Sequence, residues 1–407
     1  MSNTPPVIHQ LPSPARLFYL DNLRSFIVLV VIVFHVAMGF MAFVPAWWPV
    51  IDTQQNLFFT GVVLLTDVPI MPIMFLIAGY FAIASLVGKG QVAFWKDKLL
   101  RIVLPWVLGF LVIAPLSPYM WLVSRHKNPA FTYFWRHMFF TKTFNTQGAL
   151  WFLGVLTVFY LALSIAYSLH KPLGNVSAKL ERPGWVFFSI FLLVTSAVFV
   201  FVNQFWHDFT WVPVRYILWV QPTRVSLEAF YFALGVYAYR RQWFGREGYR
   251  PETSVWTVIA TLTGIIFLSY KLHFGVLMPQ LPVRIGHGLL HCLFCMSTTF
   301  ALLGAFRTWW NKTSWLLAKL AESSYAIYWV HMPIVLLSGL AIRGFHWNIY
   351  VKYLAASTLA VVGSFLIAAY GLLWLPMFAG KRKARTSLAV PNYESAGVAE
   401  SSVGTRS

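Results

Sequence analysis

Residues 19–40 read YLDNLRSFIVLVVIVFHVAMGF, an apolar run long enough to cross a bilayer core of about 30 Å. Arg24 and His35 interrupt it. Such a side chain in hydrocarbon is costly unless it is paired, wetted or able to snorkel, so its presence points by default to function. The rest of the chain carries the same signature. Its 407 residues are 58% hydrophobic and only 11% charged, a composition that excludes a mostly water-facing protein. The formal charge of +19 reads as basic loops retained on the cytosolic side. No nucleic-acid partner is expected. Cys292 and Cys295 fall within one apolar segment, so no disulfide framework is indicated. Four prolines crowd the first fifteen residues and no basic residue precedes Arg16, so the first apolar run is expected to be a retained helix and not a cleaved signal.

Apolar runs of membrane-spanning length fall near 23–45, 57–87, 99–121, 148–169, 184–204, 221–239, 253–271, 284–306, 317–338 and 348–376. The expected fold is therefore an all-α, polytopic bundle of about ten transmembrane helices. The second run exceeds one crossing, and Asp67-Val68-Pro69 inside it predicts a break, because proline removes a backbone donor. Placing the N-terminus inside leaves 21 of the 31 Lys and Arg residues on the inner side, which puts both termini in the cytoplasm. Residues 1–22 then form a cytoplasmic segment and 23–376 the membrane domain. Residues 377–407, basic and without a periodic apolar face, form a tail expected to be disordered. The expected location is a bacterial inner membrane.

Arg24 and His35 are eleven residues apart, roughly 20° past realignment on a helix, and about 16 Å apart along its axis. They share a stripe, with Arg24 at the cytosolic mouth and His35 near mid-depth. A guanidinium suits phosphate; an imidazole suits proton transfer near neutral pH. Taken singly, Arg24 also fits headgroup snorkelling and His35 helix packing. Arg-x10-His in the first span resembles the signature of the acyltransferase 3 family, ten-helix membrane proteins that move acyl groups from cytosolic acyl-CoA to acceptors, often glycans. MPIMFLIAGYF at 71–81, FWKDKLLRIVLPW at 94–106, ALWFLGVL at 149–156 and SSYAIYWVHMPIV at 323–335 resemble further family segments in the same order. YLDNLR and AGYF look most like the branch containing the glucans biosynthesis protein C, a succinyltransferase of periplasmic glucans. Many relatives have Ser-Gly-Tyr where this chain has Ala78-Gly79-Tyr80, and His-Leu-Trp where it has Ala149-Leu150-Trp151. The resemblance carries functional expectation onto Arg24, His35, Arg101, Trp151 and His331.

Other intramembrane groups can be ranked by depth. His331 lies twelve residues from Lys319 and Glu228 twelve from Arg240, each about 18 Å from the inner boundary. If their helices meet, two imidazoles and a carboxylate surround one chamber, with Glu228 able to orient an imidazole. Glu228 could instead brace its own helix through Arg224 at i,i+4. Lys98 and Arg101 begin the third span and, with Arg24, could hold the phosphates of a CoA nucleotide; a cytosolic basic cluster would look the same. Trp47, Trp48, Trp135, Trp206, Trp211, Tyr216 and Trp219 populate the outer loops, where aromatic faces suit sugar rings or an interfacial belt. His287, His291 and Cys295 recur every four residues, with Cys292 completing Cys-x-x-Cys. Lacking a second cysteine pair, this set predicts no metal centre.

The leading expectation is a membrane-embedded O-acyltransferase with acetyl-CoA or succinyl-CoA as co-substrate and a hydroxyl of a glycan or other envelope component as acceptor. His35 and Glu228 are its candidate catalytic residues, Arg24, Lys98 and Arg101 hold the donor, and His331 and Trp151 contact the acceptor. The competing class is a proton-coupled transporter or flippase using the same polar layer as a relay. The absence of an inverted repeat weighs against it.

Overall fold

The computed structural model describes residues 17–379 apart from 178–180, 215–217, 246, 276, 277 and 279. Residues 1–16 of the N-terminal segment, 380–407 of the tail, and Tyr216 lie outside the described residues. Helix α1 spans Phe18–Met38, α2 Leu57–Asp67 and α3 Ile70–Lys89. A long rod follows, built of α4 (Gln91–Lys98), α5 (Leu104–Val112) and α6 (Leu116–Val123). The short α7 (Phe131–Tyr133) precedes α8 (Trp151–Leu169) and α9 (Trp185–Asn203). Next come α10 (Pro222–Arg240), α11 (Thr253–Phe274), α12 (Leu281–Trp309), α13 (Trp315–Arg343) and α14 (Ile349–Leu366). A two-stranded antiparallel ribbon, β1 (Val212–Val214) with β2 (Leu218–Val220), is the sole sheet among the described residues.

Among the described residues, nine helices are long and apolar enough to cross a membrane. The tenth expected span is α10, whose Arg224, Glu228 and Arg240 lower its hydropathy. It is sheltered instead by packing along α3, the most extensive helix pair in the molecule. Two glycines make that approach possible. A Cβ at Gly79 would sit 2.1 Å from the Phe232 carbonyl oxygen, and one at Gly235 2.0 Å from that of Leu76. Small residues at crossings let backbones come together where lipid supplies no hydrophobic drive. Helices α1, α12 and α13 are the most enclosed, with 61% of their apolar windows buried, against 22% for α9. The former line the interior; the latter turns Ile190, Leu193 and Val194 outward, as an all-round apolar helix in lipid should.

The predicted break appears between Asp67 and Ile70. Its freed backbone groups find partners: the Asp67 carbonyl accepts from Arg224 at 3.5 Å and that of Val68 from the Cys295 thiol at 3.7 Å. Broken helices persist in membranes only with such compensation. In the rod, the residues just before Pro105 adopt a π-helical turn, Leu99–Val103. Proline cannot donate to the carbonyl four residues back, that of Arg101, and the ladder shifts register there.

Contacts at the helix ends define two faces. Asn22 donates to the carbonyls of Trp310 and Lys312 on the face where α1 begins. On the opposite face Arg343 donates to the Ser124 carbonyl, and Gln54 to that of Trp347.

Candidate functional site

Helices α1 and α13 run parallel and in contact. Near the first face the Arg24 guanidinium donates to the Ala321 carbonyl at 3.1 Å. Deeper in, the His35 and His331 ring centres lie 5.2 Å apart. The intervals of eleven residues on α1 and ten on α13 correspond to about 16 and 15 Å of helix rise, so one seam carries a cation at its mouth and two imidazoles at its far end. His331 occupies the middle of α13, whereas His35 falls in the last turn of α1. The helix ends sooner than the expected 45, and residues 39–56 fold back over its end.

That folded-back loop builds the wall around His35. Trp48, itself buried, stacks on the imidazole at 5.9 Å with an interplanar angle of 7°. His35, Trp48, Gly39, Asp52 and Gly339 line a small cavity. Lys352, fully buried, reaches Asp52 at 2.8 and 2.7 Å to its two oxygens and pins the loop to α14. Trp121 and Arg125 donate to the carbonyls of Ala46 and Pro49 on the same loop.

Hydrogen bonds set the tautomer of both imidazoles. His35 Nδ1 lies 2.8 Å from the Val31 carbonyl oxygen and His331 Nδ1 2.6 Å from that of Tyr328. A carbonyl only accepts, so each Nδ1 carries a proton, and in the neutral ring each Nε2 is left as the acceptor. His331 Nε2 is buried and makes no hydrogen bond. Two imidazoles whose neutral forms keep Nε2 as an acceptor are chemically suited to proton transfer.

Tyr328 ties this pair to other candidate residues. Its ring lies 5.5 Å from that of His331 and 5.6 Å from that of Phe152, and its hydroxyl bonds to the Ala149 carbonyl. The Ala149–Trp151 segment thus abuts the His331 turn. Trp151 itself packs against Phe75 and Trp211, with ring centres 6.4 and 5.7 Å away. Glu228 is buried and its Oε2 makes no hydrogen bond. Arg224 makes its ion pair with Asp67, at 2.5 Å.

At the first face, α4 and the π turn assemble cations around one acid. Asp97 pairs with Arg101 and with Lys89, each at 3.4 Å. Lys98 lies over the Phe94 and Tyr160 rings at 5.2 and 4.5 Å. Lys98 and Arg101 thus gather at one end of the rod, while Arg24 stands in the first turns of α1. Such a set can grip phosphates through charge-assisted hydrogen bonds.

Several functional-looking residues escape a reading of single spans. Asp52 with Lys352, and Asp208 with Lys271 at 2.9 Å, are buried ion pairs between a loop acid and an intramembrane lysine. The usable signal is the lysine: Lys271 and Lys352 each stand in an apolar helix and demand a partner. Burial would raise the Asp208 carboxyl, but Lys271, His287 and Arg224 outweigh it and hold it below the usual carboxylate range.

A family model described as an acyltransferase domain matches residues 17–372, from the start of α1 to the end of the last membrane helix. The match is to the family as a whole and singles out no branch. No curated protein and no solved structure matches the chain.

Proposed function

The chain belongs to the acyltransferase 3 family, and we propose that this integral membrane acyltransferase draws an acetyl or succinyl group from acyl-CoA and delivers it to a hydroxyl of a glycan or other envelope acceptor in a bacterial inner membrane. Arg24, Lys98 and Arg101 hold the nucleotide phosphates at the cytosolic mouth. The pantetheine arm follows the α1–α13 seam, and the thioester meets His35. His35 Nε2 takes the proton of the acceptor hydroxyl as that oxygen bonds to the acyl carbon. The carbon–sulfur bond then breaks, and the imidazolium returns the proton to the departing thiolate. Transient acylation of the imidazole is the mechanistic variant. His331 orients the acceptor hydroxyl, Trp151 offers an aromatic face towards the acceptor side, and Glu228 acts through Tyr328 as a positioning residue.

The observation that carries this reading is the paired imidazoles, 5.2 Å apart with both Nδ1 atoms committed to carbonyls, at the far end of a seam whose mouth holds Arg24. The test is transfer of label. Protein in sealed vesicles is supplied with labelled acetyl-CoA or succinyl-CoA on the cytosolic face and glycan on the other. Labelled glycan with release of free CoA is expected. Movement of glycan with no CoA consumed would assign the seam to transport.

A further inference from the structure

On the face opposite the start of α1, the loop between α9 and α10 lowers Asp208 into the bundle until it is 2% exposed. Helix α12 brings His287 and His291 to it, one turn apart on one face, and both are buried. His287 Nε2 lies 3.6 Å from Asp208 Oδ2. One ligand atom from each of the three residues falls within 4.8 Å of the others. His287 Nε2 and His291 Nδ1 are buried and make no hydrogen bond. Leaving such atoms unmatched costs about 1–3 kcal/mol each. The surrounding shell cannot relieve them: Phe199 stacks on His291 at 4.5 Å, and Phe267 lies 5.9 and 5.7 Å from the two imidazoles.

We propose that Asp208, His287 and His291 form a binding site for a divalent transition-metal ion, with zinc as its best-suited occupant. The donor chemistry is that of metal centres: two imidazoles and one carboxylate suit zinc and its first-row neighbours. Histidines at i and i+4 present both rings on one side of a helix, the spacing used where helices hold zinc. Small side-chain rotations bring atoms this close to the ~2.0–2.2 Å of zinc ligation. Cys292 and Cys295 are not needed. Cys295 faces the Val68 carbonyl, and the third ligand comes from a loop distant in sequence.

The strongest objection is Lys271, whose ammonium lies 2.9 Å from the same Asp208 oxygen. A carboxylate has lone pairs for more than one partner, and ligating carboxylates are themselves commonly hydrogen-bonded by a second residue. Arg224 makes its ion pair with Asp67 at 2.5 Å and meets Asp208 only at its backbone carbonyl. Lys271 is therefore either the metal's supporting neighbour or its competitor, and the two roles give opposite results. The ion's role is to pin the α9–α10 loop, which also carries Trp211 against Trp151. The site thereby steadies the acceptor end without joining the chemistry.

The test uses full-length protein purified without metal-affinity chromatography, stripped with EDTA and titrated with Zn²⁺ or Co²⁺. Bound metal is counted by mass spectrometry, and cobalt coordination is read from visible absorption. About one equivalent of zinc is expected, with affinity at least about tenfold weaker in Asp208→Asn, His287→Gln and His291→Gln. Cys292→Ser and Cys295→Ser should bind as the parent does. Lys271→Met should bind the ion more weakly than the parent, as loss of a ligand's supporting partner does. Zinc in Lys271→Met but not in the parent would make the lysine the resident cation and overturn the proposal. Undiminished zinc in the histidine variants would make the binding adventitious and overturn it equally. Should a variant fail to fold, the parent's stoichiometry and its cobalt spectrum decide.

Discussion

Two buried polar centres of this bundle are provisioned in opposite ways. Around Asp52 and Lys352, every charge has a counter-charge within 3 Å. Around His35 and His331, both Nδ1 atoms are satisfied, while His331 Nε2 is buried without a hydrogen-bond partner. A matched pair holds a loop in place; an unmatched nitrogen can take up a proton. The difference teaches how to tell bracing from chemistry in a membrane interior, where both register as ionisable residues in apolar helices.

The largest expected effect tests the unmatched side. His35→Ala should lower acyl transfer by about 10²–10⁴-fold, the usual worth of a general base, while expression and donor affinity persist. The side chain stands about 16 Å from Arg24 along the helix, so it should meet the thioester end of the donor and not the nucleotide. His331→Ala should raise the acceptor KM as well as slow turnover. Parental rates in His35→Ala, measured with labelled acyl-CoA, would make the imidazole a packing group and dissolve the contrast.

The matched side should respond in stability first. Lys352→Met leaves Asp52 buried without its partner, and breaking such a pair costs about 3–5 kcal/mol. Thermal inactivation in detergent should therefore move down sharply. Replacing both groups, as Asp52→Asn with Lys352→Met, should recover most of the loss, because a neutral pair has no stranded charge. Asp52 also lines the cavity beside His35, so unchanged stability with lost transfer would shift the pair from bracing to chemistry.

Smaller effects belong to the mouth. Arg24→Ala and Arg101→Ala should each weaken acyl-CoA binding by about tenfold or more, as expected for hydrogen bonds to a charged group. Lysine at either position should restore part of the affinity, since it lacks the planar fork. Equilibrium binding of non-hydrolysable acyl-CoA is the readout. Unchanged affinity in both variants would leave the cluster as a topology signal.

Legibility followed from how local each feature was. Span length, the break at Asp67–Pro69 and the Arg24–His35 stripe depend on neighbours along one helix, and the chain reveals them directly. The meeting of His35 with His331 required comparing depths on separate helices, which periodicity and loop charge supply. The partners of Lys271 and Lys352 could not be read this way. Asp208 and Asp52 sit in loops whose return into the bundle leaves no periodic trace. Gly79 was legible only as a motif letter, and its work is to admit the backbone of α10. The same contact-level information decides whether Asp208 or Cys295 joins the two histidines of α12.

Glu228 falls between the two kinds of centre, and its substitution should have the smallest effect. It is buried like a bracing charge, yet Arg224 spends its ion pair on Asp67, and Glu228 Oε2 has no hydrogen-bond partner. Glu228→Gln keeps the shape and removes the titratable carboxyl. Because the Arg224–Asp67 pair survives, thermal inactivation should stay close to that of the parent. If the side chain positions Tyr328, whose ring lies 5.5 Å from that of His331, turnover should fall by about tenfold, or about 1.4 kcal/mol in barrier, with donor affinity unchanged. A bracing role predicts the reverse, a lowered inactivation temperature with parental turnover. Measuring turnover, inactivation and acyl-CoA binding on one preparation separates the two, and a variant indistinguishable from the parent in all three would remove Glu228 from the site.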